Sequence, residues 1–311
     1  MKVGIIGVGT VGAATAMAMV LRARAREIVL VDANRARAKA VATDMHYGVP
    51  LSPLVSITDG DYADLGGAGL AIICAGVNEK AGGATDRSDP AGRLRLLEPN
   101  VKVFQDIVPK LVKVAPKAVI LIATNPPEPL VEIARHLAGH DRVLSTSTTL
   151  DSLRFRLHLS ERLKVSPQSV EAYVVGEHGT FSVLLWSSAR IGGMPVAELL
   201  ARRGLRLDEF RQSIERDVRY ANITIIEGIG ASQYGIGMVA GRIAEVVLRD
   251  EQAVYPVGAH NPRYGVALSL PSVIGRAGVS EVLWPEMSAD ETAGVEKSAE
   301  RLKEVVATYL K

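Results

Sequence analysis

Short apolar runs alternate with longer stretches of helical periodicity along the first half of the chain. The runs predict β-strands at residues 2–6, 27–31, 55–58, 70–74, 119–123 and 142–144. Strands that alternate with helices pair in parallel, because each helix returns the chain to the same end of the sheet. The pattern therefore predicts an α/β fold with a doubly wound parallel sheet and a crevice at the carboxyl ends of its strands.

The second half follows a different pattern. A helical region is predicted from about residue 208 to 249 with breaks near three glycines, and strand-like stretches follow at 253–257, 265–270 and 279–283. The last helix is predicted to begin at Ser288, because Glu291 three residues later completes a capping box. We expect a boundary near Ser145, which gives a first domain of residues 1–145 and an α+β domain of residues 146–311.

Composition narrows the possible functions. The 311 residues are 48% hydrophobic and 23% charged, with a net charge of only +2, which argues against a nucleic-acid partner. The uncharged stretch 3–21 contains four glycines, which the core of a signal peptide seldom has, so we expect no leader and no membrane span. The only cysteine, Cys74, excludes a disulfide framework and fits a cytoplasmic protein.

A glycine-rich turn joins the first strand to the first helix, in the sequence Gly7-Val-Gly9-Thr-Val-Gly12. Gly7 permits a tight turn, Gly9 lets the backbone approach a pyrophosphate, and Gly12 allows the helix to pack closely. The amino terminus of the helix then faces the phosphates. Strand, glycine turn and helix in this order predict a dinucleotide-binding domain of the Rossmann type.

The second strand ends in Asp32, twenty residues beyond Gly12. A carboxylate at this position binds the ribose hydroxyls of the adenosine half and repels a 2′-phosphate, which favours NAD over NADP. Two nearby cations, Arg35 and Arg37, leave NADP as the alternative.

Two other strand ends carry further chemistry. The strand at 119–123 is followed by Thr124-Asn125-Pro126, which places the Asn125 amide at the crevice. The strand at 70–74 opens a long segment, residues 77–92, that is rich in Gly, Asp and Arg. A loop of this length is typical of an active-site lid, and the alternative is a tolerated insertion.

An Asp, an Arg and a His in the second half suit acid–base chemistry on an anion. Asp151 and Arg154 lie three apart and share one face of a predicted helix, while His178 leaves an apolar run through a turn bracketed by glycines. A carboxylate fixes the tautomer of an imidazole, and an arginine grips a carboxylate with two parallel hydrogen bonds. The alternative is an ordinary solvated ion pair on the helix.

These residues lie in motifs that resemble the L-lactate/malate dehydrogenase family over essentially the whole chain. The motifs are GVGTVG with Asp32, ICAGVNEKAG, RLRLLEPN, ATNP, LDSLRFR, VVGEHG, IIEGIGASQYGIG and LPSVIGRAG. The resemblance implies an oxidoreductase that transfers a hydride between NAD(H) and a small L-2-hydroxy acid. It also implies a homodimer or homotetramer. The alternatives are a malate dehydrogenase and a non-catalytic NAD-binding protein that kept the fold.

The resemblance also implies a role for each site residue. His178 is expected to donate and accept the proton, Asp151 to orient it, and Arg154 to clamp the substrate carboxylate. Asn125 is expected to bind near both the reacting carbonyl and the cofactor, and Ser232 to line the pocket.

The lid departs from the family pattern. Arg93 matches the arginine that polarises the carbonyl, but the chain between Gly82 and Arg93 is longer than usual, and Arg87 is the alternative. Glu79 stands where the substrate side chain is contacted, and there a carboxylate would repel a second substrate carboxylate by about 4 kcal/mol at 4 Å. We therefore expect a neutral, hydroxylated or cationic substrate side chain in preference to oxaloacetate, unless the longer lid turns Glu79 outward.

Two further expectations concern effectors and metals. Some bacterial relatives bind fructose bisphosphate through an Arg and a His; Arg156 matches the first, but Glu171 replaces the second, so we expect no such activation. The remaining histidines lack ligand-like spacing and are expected to have surface roles without a metal: His46, His136, His140, His158 and His260.

Overall fold

The computed structural model describes residues 1–22, 24–52, 55–77 and 92–310, without the side chains of residues 92 and 93. The strands of the first half are β1 (Lys2–Ile6), β2 (Glu27–Val31), β3 (Ser56–Asp59), β4 (Leu70–Ile73), β5 (Val119–Ile122) and β6 (Val143–Ser145). The helices up to residue 163 are α1 (Thr10–Arg22), α2 (Arg35–Gly48), α3 (Leu97–Val114), α4 (Pro127–Ala138) and α5 (Thr149–Leu163).

These six strands form a parallel sheet in the order β3-β2-β1-β4-β5-β6. The order reverses direction between β1 and β4, so the loops that follow these two strands diverge and leave a crevice at their carboxyl ends. The predicted doubly wound sheet is therefore confirmed, with strand ends within a few residues of those expected.

The second half adds eight strands and four helices among the residues that the structure describes. The strands are β7 (Val170–Glu171), β8 (Val174–Val175), β9 (Val183–Leu184), β10 (Arg190–Ile191), β11 (Met194–Pro195), β12 (Ala253–Asn261), β13 (Val266–Gly275) and β14 (Gly278–Val282). The helices are α6 (Val196–Arg202), α7 (Leu207–Ile229), α8 (Tyr234–Arg249) and α9 (Ala289–Ala307). The predicted break in the long helical region lies between α7 and α8, where Gly230 ends α7.

The large sheet continues past β6 into the second half. Strands β12, β13 and β14 extend it in antiparallel fashion, and Gly258 of β12 pairs with Ser145 of β6. Both β12 and β13 are longer than the apolar stretches that predicted them. Each contains a proline, and Pro256 and Pro271 stand opposite each other in the ladder, so the two missing N–H donors coincide.

Apolar side chains cover both faces of the sheet. One cluster packs α1 and α8 against one face around Ile5, Leu30 and Ile72, and another packs α3 and α4 against the other face around Phe104. A separate cluster around Phe155 packs α5 and α7 together. Across the described ranges, no helix is long and apolar enough to cross a membrane. The core thus holds the crevice rigidly at one edge of the sheet.

The capping box of the last helix is confirmed, and it does more than end the helix. Ser288 accepts a hydrogen bond from the Glu291 backbone, and Glu291 accepts one from Ser288 N at 2.8 Å. The same carboxylate also accepts the N–H groups of Trp186 at 2.7 Å and Ser187 at 3.1 Å. Glu291 therefore ties α9 to the segment that follows His178.

Candidate active site

The glycine turn has the shape that a bound dinucleotide requires. Gly7 has a φ of +89°, and a Cβ there would lie 2.4 Å from the backbone nitrogen of Ala75. A Cβ on Gly12 would lie 1.9 Å from the carbonyl oxygen of Gly7, so only glycine allows α1 to approach the turn. A Cβ on Gly9, in contrast, would have no described atom within 4 Å apart from those of its chain neighbours, which leaves this side of the turn open to a phosphate group.

Asp32 lies at the end of β2, beside the glycine turn. Its two carboxylate oxygens accept hydrogen bonds from Val8 N at 2.6 Å and Asn34 N at 2.8 Å. The carboxylate also lines a cavity of about 810 Å³ together with Gly7 and Gly9. Arg35 lies 3.7 Å from acidic side chains of β3 and of the turn after it. These acids offset the positive charge of Arg35, which a 2′-phosphate would need. The residues present therefore fit NAD.

Asn100, on α3, joins the two strand ends that form the floor of the crevice. Its Oδ1 accepts the N–H of Val77 at 2.7 Å, and its Nδ2 donates to the carbonyl oxygen of Asn125 at 2.7 Å. Asn100 is completely buried, and next to it Thr124 donates to Ala75 O at 2.8 Å. This link could not be predicted from the sequence, because Asn100 is 23 residues from Val77 and 25 from Asn125 along the chain.

The predicted Asp, Arg and His meet at the opposite side of the crevice. Asp151 Oδ2 lies 2.6 Å from His178 Nδ1, and Asp151 Oδ1 lies 3.0 Å from Arg154 Nη1. His178 reaches this position because the backbone of Gly176 pairs with that of Ser269 on β13. The side chains of Arg154 and His178 are each 12% exposed, and that of Asp151 is 5% exposed. Such a partly buried, hydrogen-bonded imidazole can exchange a proton with a ligand.

One cavity brings together the predicted polar residues of the second half and the end of β5. It is lined by Asn125, Arg154, His178 and Ser232, together with residues of the turns after β4 and β6. Asn222 of α7 also lines it, although nothing in its local sequence distinguished it from other helix residues. Cys74 reaches the same cavity, and burial raises the pKa of its thiol to about 12, which agrees with an inert residue.

Most of the predicted lid lies outside the residues that the structure describes. Glu79 and Arg87 fall within 78–91, so their predicted roles and that of the lid stay predictions. Arg93 belongs to a short 3-10 helix, Gly92–Leu96, that leads into α3, but its side chain is outside the described residues.

One histidine outside the site, His260, pairs with a buried acid. His260 Nδ1 lies 2.7 Å from Oε1 of Glu132, a buried residue of α4, and the imidazole is only partly exposed. Its partner lies 128 residues away along the chain, so sequence spacing could not predict this pair.

A dinucleotide crevice that also holds a carboxylate–imidazole pair and an arginine defines an NAD-dependent dehydrogenase of small 2-hydroxy acids. Comparison with known families agrees. Residues 1–144 match the lactate/malate dehydrogenase NAD-binding domain, and residues 148–311 match the lactate/malate dehydrogenase α/β C-terminal domain. The chain belongs to the lactate/malate dehydrogenase family.

Individual relatives are similar over nearly their full length. The chain is 45% identical to an L-lactate dehydrogenase of Chloroherpeton thalassium, with 99% of each chain covered. It is 44% identical to an L-lactate dehydrogenase of Thermus aquaticus, with 97% of each covered. Among solved structures, the ligand-bound minor L-lactate dehydrogenase of Enterococcus mundtii matches with a TM-score of 0.92 at 33% identity, covering 100% of this chain and 99% of that one.

Proposed function

We propose that this enzyme interconverts pyruvate and L-lactate, with His178 as the proton donor and acceptor. The observation that carries the proposal is the 2.6 Å contact between Asp151 and His178, at a cavity that Arg154 also lines. The names of the curated relatives, which are L-lactate dehydrogenases, support this substrate pair.

Asp151 gives the imidazole one defined tautomer. A carboxylate on Nδ1 keeps the proton on that nitrogen, so Nε2 is the atom that exchanges a proton with the substrate oxygen. The same negative charge stabilises the imidazolium that forms when His178 takes a proton from the hydroxy acid. In reduction, the protonated ring donates that proton to the carbonyl oxygen as negative charge develops there.

Arg154 fits the substrate carboxylate. Its contact with Asp151 is made through one terminal nitrogen, and the planar guanidinium has five N–H donors in all. A planar fork of this kind binds a carboxylate through two parallel hydrogen bonds, which fixes the substrate in orientation as well as in charge. Asn125 and Ser232 line the same cavity and can donate hydrogen bonds to the remaining substrate oxygen atoms. Arg93, at the end of the lid, is proposed to polarise the carbonyl, with Arg87 as the alternative.

Gly7, Gly9, Gly12 and Asp32 would hold the cofactor, with its pyrophosphate at the turn and its adenosine ribose at Asp32. Asn125, which lines the part of the crevice toward His178, is proposed to contact its reactive end. When bound, NADH supplies the hydride that the substrate carbon accepts.

The proposal extends to the arrangement of the chain. The family matches on either side of residue 145 support an NAD-binding domain of residues 1–145 and a catalytic domain of residues 146–311. Exposed leucines of α5, Leu153 and Leu157, lie with Met238 of α8 along one apolar groove, which supports a homodimer or homotetramer. The only cysteine, Cys74, is a free thiol, which supports a cytoplasmic location.

The first experiment measures initial rates with NADH, and separately with NADPH, across 2-oxo acids with neutral, acidic, hydroxylated and basic side chains. We expect kcat/KM to be highest for pyruvate or another 2-oxo acid with a neutral, hydroxylated or cationic side chain, and lower for oxaloacetate because of Glu79. A clear preference for oxaloacetate would refute the argument from Glu79. His178→Asn should abolish turnover while NADH still binds, and retained kcat in that variant would overturn the role of His178.

A further inference from the structure

Three buried hydroxyl groups lie between the helix that carries Asp151 and the segment that carries His178. They belong to Thr148, which caps the start of α5, to Ser152, which follows Asp151 in α5, and to Ser269 of β13. All three residues are at most 3% exposed. None of them lines the active-site cavity, and the catalytic scheme above does not use them.

Two of these hydroxyls hold Val174, a residue of β8 that lies four positions before His178. The Val174 N–H donates to Ser152 Oγ at 2.8 Å, and the Val174 carbonyl oxygen accepts a hydrogen bond from the hydroxyl of Thr148. Both backbone polar groups of Val174 are therefore bonded to the beginning of α5. Because Asp151 lies between the two hydroxyl residues in the chain, these bonds fix β8 beside the carboxylate.

Ser269 completes the link from the other side. Its hydroxyl lies 2.6 Å from that of Thr148, and its backbone exchanges two hydrogen bonds with Gly176, at 2.8 and 3.0 Å. Gly176 is two residues before His178 and has a φ of +88°, so the chain turns at this glycine. Residues 174–176 are thus bonded to α5 both directly and through Ser269.

The bonds of Thr148 differ from those that its place in the helix predicts. A threonine at the amino-terminal cap usually accepts a hydrogen bond from the first turn of its own helix, which stabilises that helix. The Thr148 side chain makes no such bond. Its hydroxyl instead joins the helix to the segment before His178, which favours a role in the relative position of the two elements.

We infer that Thr148 and Ser152 are positioning residues of the reaction: their hydroxyls hold the segment before His178 at the distance from α5 at which Asp151 meets the imidazole. This rests on the proposed role of His178 as proton donor and acceptor. The contact that the hydroxyls support is 2.6 Å long. A displacement of about 1 Å in a catalytic group can lower a rate by about 100-fold, so a small change in the separation of the two elements is enough to impair the reaction.

The test is single-turnover reduction of pyruvate by Ser152→Ala and by Thr148→Val, with NADH binding measured separately. We expect the rate of each variant to fall by about 10- to 100-fold. The affinity for NADH should be unchanged, because neither residue lines the dinucleotide cavity. Thr148→Ser retains the hydroxyl and should restore a rate close to that of the wild type.

Thr149→Val provides a matched control. Thr149 follows Thr148 in the chain and is 3% exposed, but its hydroxyl donates to the carbonyl oxygen of Pro256 on β12, at 2.8 Å. Loss of that bond removes a buried hydrogen bond of the same kind without touching the segment before His178. Thermal unfolding of this variant should therefore change as in the other variants, while its rate should stay at the wild-type value.

Asp151→Asn separates positioning from a general loss of structure. If the hydroxyls act through the contact between Asp151 and His178, adding Ser152→Ala to Asp151→Asn should lower the rate much less than Ser152→Ala does in the wild type. An equal loss in both backgrounds would overturn the inference. Wild-type rates in folded Ser152→Ala and Thr148→Val would also overturn it.

Proton NMR of the unliganded enzyme reports on the same contact without turnover. The proton in the 2.6 Å bond between Asp151 and His178 should resonate far downfield in the wild type and in Thr149→Val, and should move upfield in Ser152→Ala. An unchanged resonance in Ser152→Ala would refute the inference whatever the substrate is. Failure of the proposed function looks different, because the wild type would then show no turnover, or His178→Asn would remain active.

Discussion

Asp151→Asn tests the central contact of the site. The 2.6 Å bond from Asp151 to His178 joins a carboxylate to an imidazole in a setting where the carboxylate side chain is 5% exposed. A hydrogen bond to a charged group contributes about 1.5–3 kcal/mol, which corresponds to a loss of about 10- to 150-fold in rate if it acts in the transition state. An asparagine that turns its NH₂ group toward Nδ1 would also select the wrong tautomer, and the loss then approaches ~10⁴-fold.

The assay is single-turnover reduction of pyruvate by enzyme preloaded with NADH, followed by the loss of NADH absorbance. Binding of NADH is measured separately and should stay near the wild-type value, because Asp151 does not line the dinucleotide cavity. Asp217→Asn serves as the control, since Asp217 makes a 2.6 Å ion pair with Arg162 on the protein surface. Its rate should stay within about twofold of wild type. A rate for Asp151→Asn that is equally close to wild type would refute the assigned role of the carboxylate.

Three further outcomes are expected. Arg154→Lys replaces the planar guanidinium with an ammonium group, and it should lower kcat/KM for pyruvate by about 10- to 150-fold, mainly by raising KM. An unchanged KM would contradict the proposal that Arg154 binds the substrate carboxylate. Burial opposes ionisation of Glu291, but hydrogen bonds from backbone N–H groups and side chains outweigh it and lower the pKa of the carboxyl. The ionised carboxylate therefore stabilises the fold fully above the unfolded pKa of about 4.3, and this stabilisation is lost as the pH falls through the folded pKa. Glu291→Gln should therefore lower the free energy of unfolding by about 1–3 kcal/mol at neutral pH, and urea titrations of variant and wild type should converge in acid. Fructose bisphosphate should leave the KM for pyruvate unchanged, because the acid Glu171 stands in place of the expected histidine and should repel a phosphate. A large fall in KM on adding the sugar bisphosphate would contradict this expectation.

Features that depend on neighbours along the chain could be predicted from the sequence. The turn from Gly7 to Gly12 and the capping box at Ser288 are set by residues within one or two turns of each other, and both were predicted correctly. The parallel sheet follows from the alternation of apolar runs with helices, which is also a local pattern. Asp151 and Arg154 share a helix face, so their proximity could also be predicted from the sequence.

Features that depend on long-range contacts could not be predicted. Asn100 joins Val77 to Asn125 across more than twenty residues on either side, and an asparagine in a helix has no distinctive local pattern. Glu128 is completely buried, and its hydrogen-bond donor Ser147 is 19 residues away along the chain. Asn222 enters the cavity because α7 packs beside α5. In each case the sequence supplied the side chain, but only the folded sheet supplied its partners.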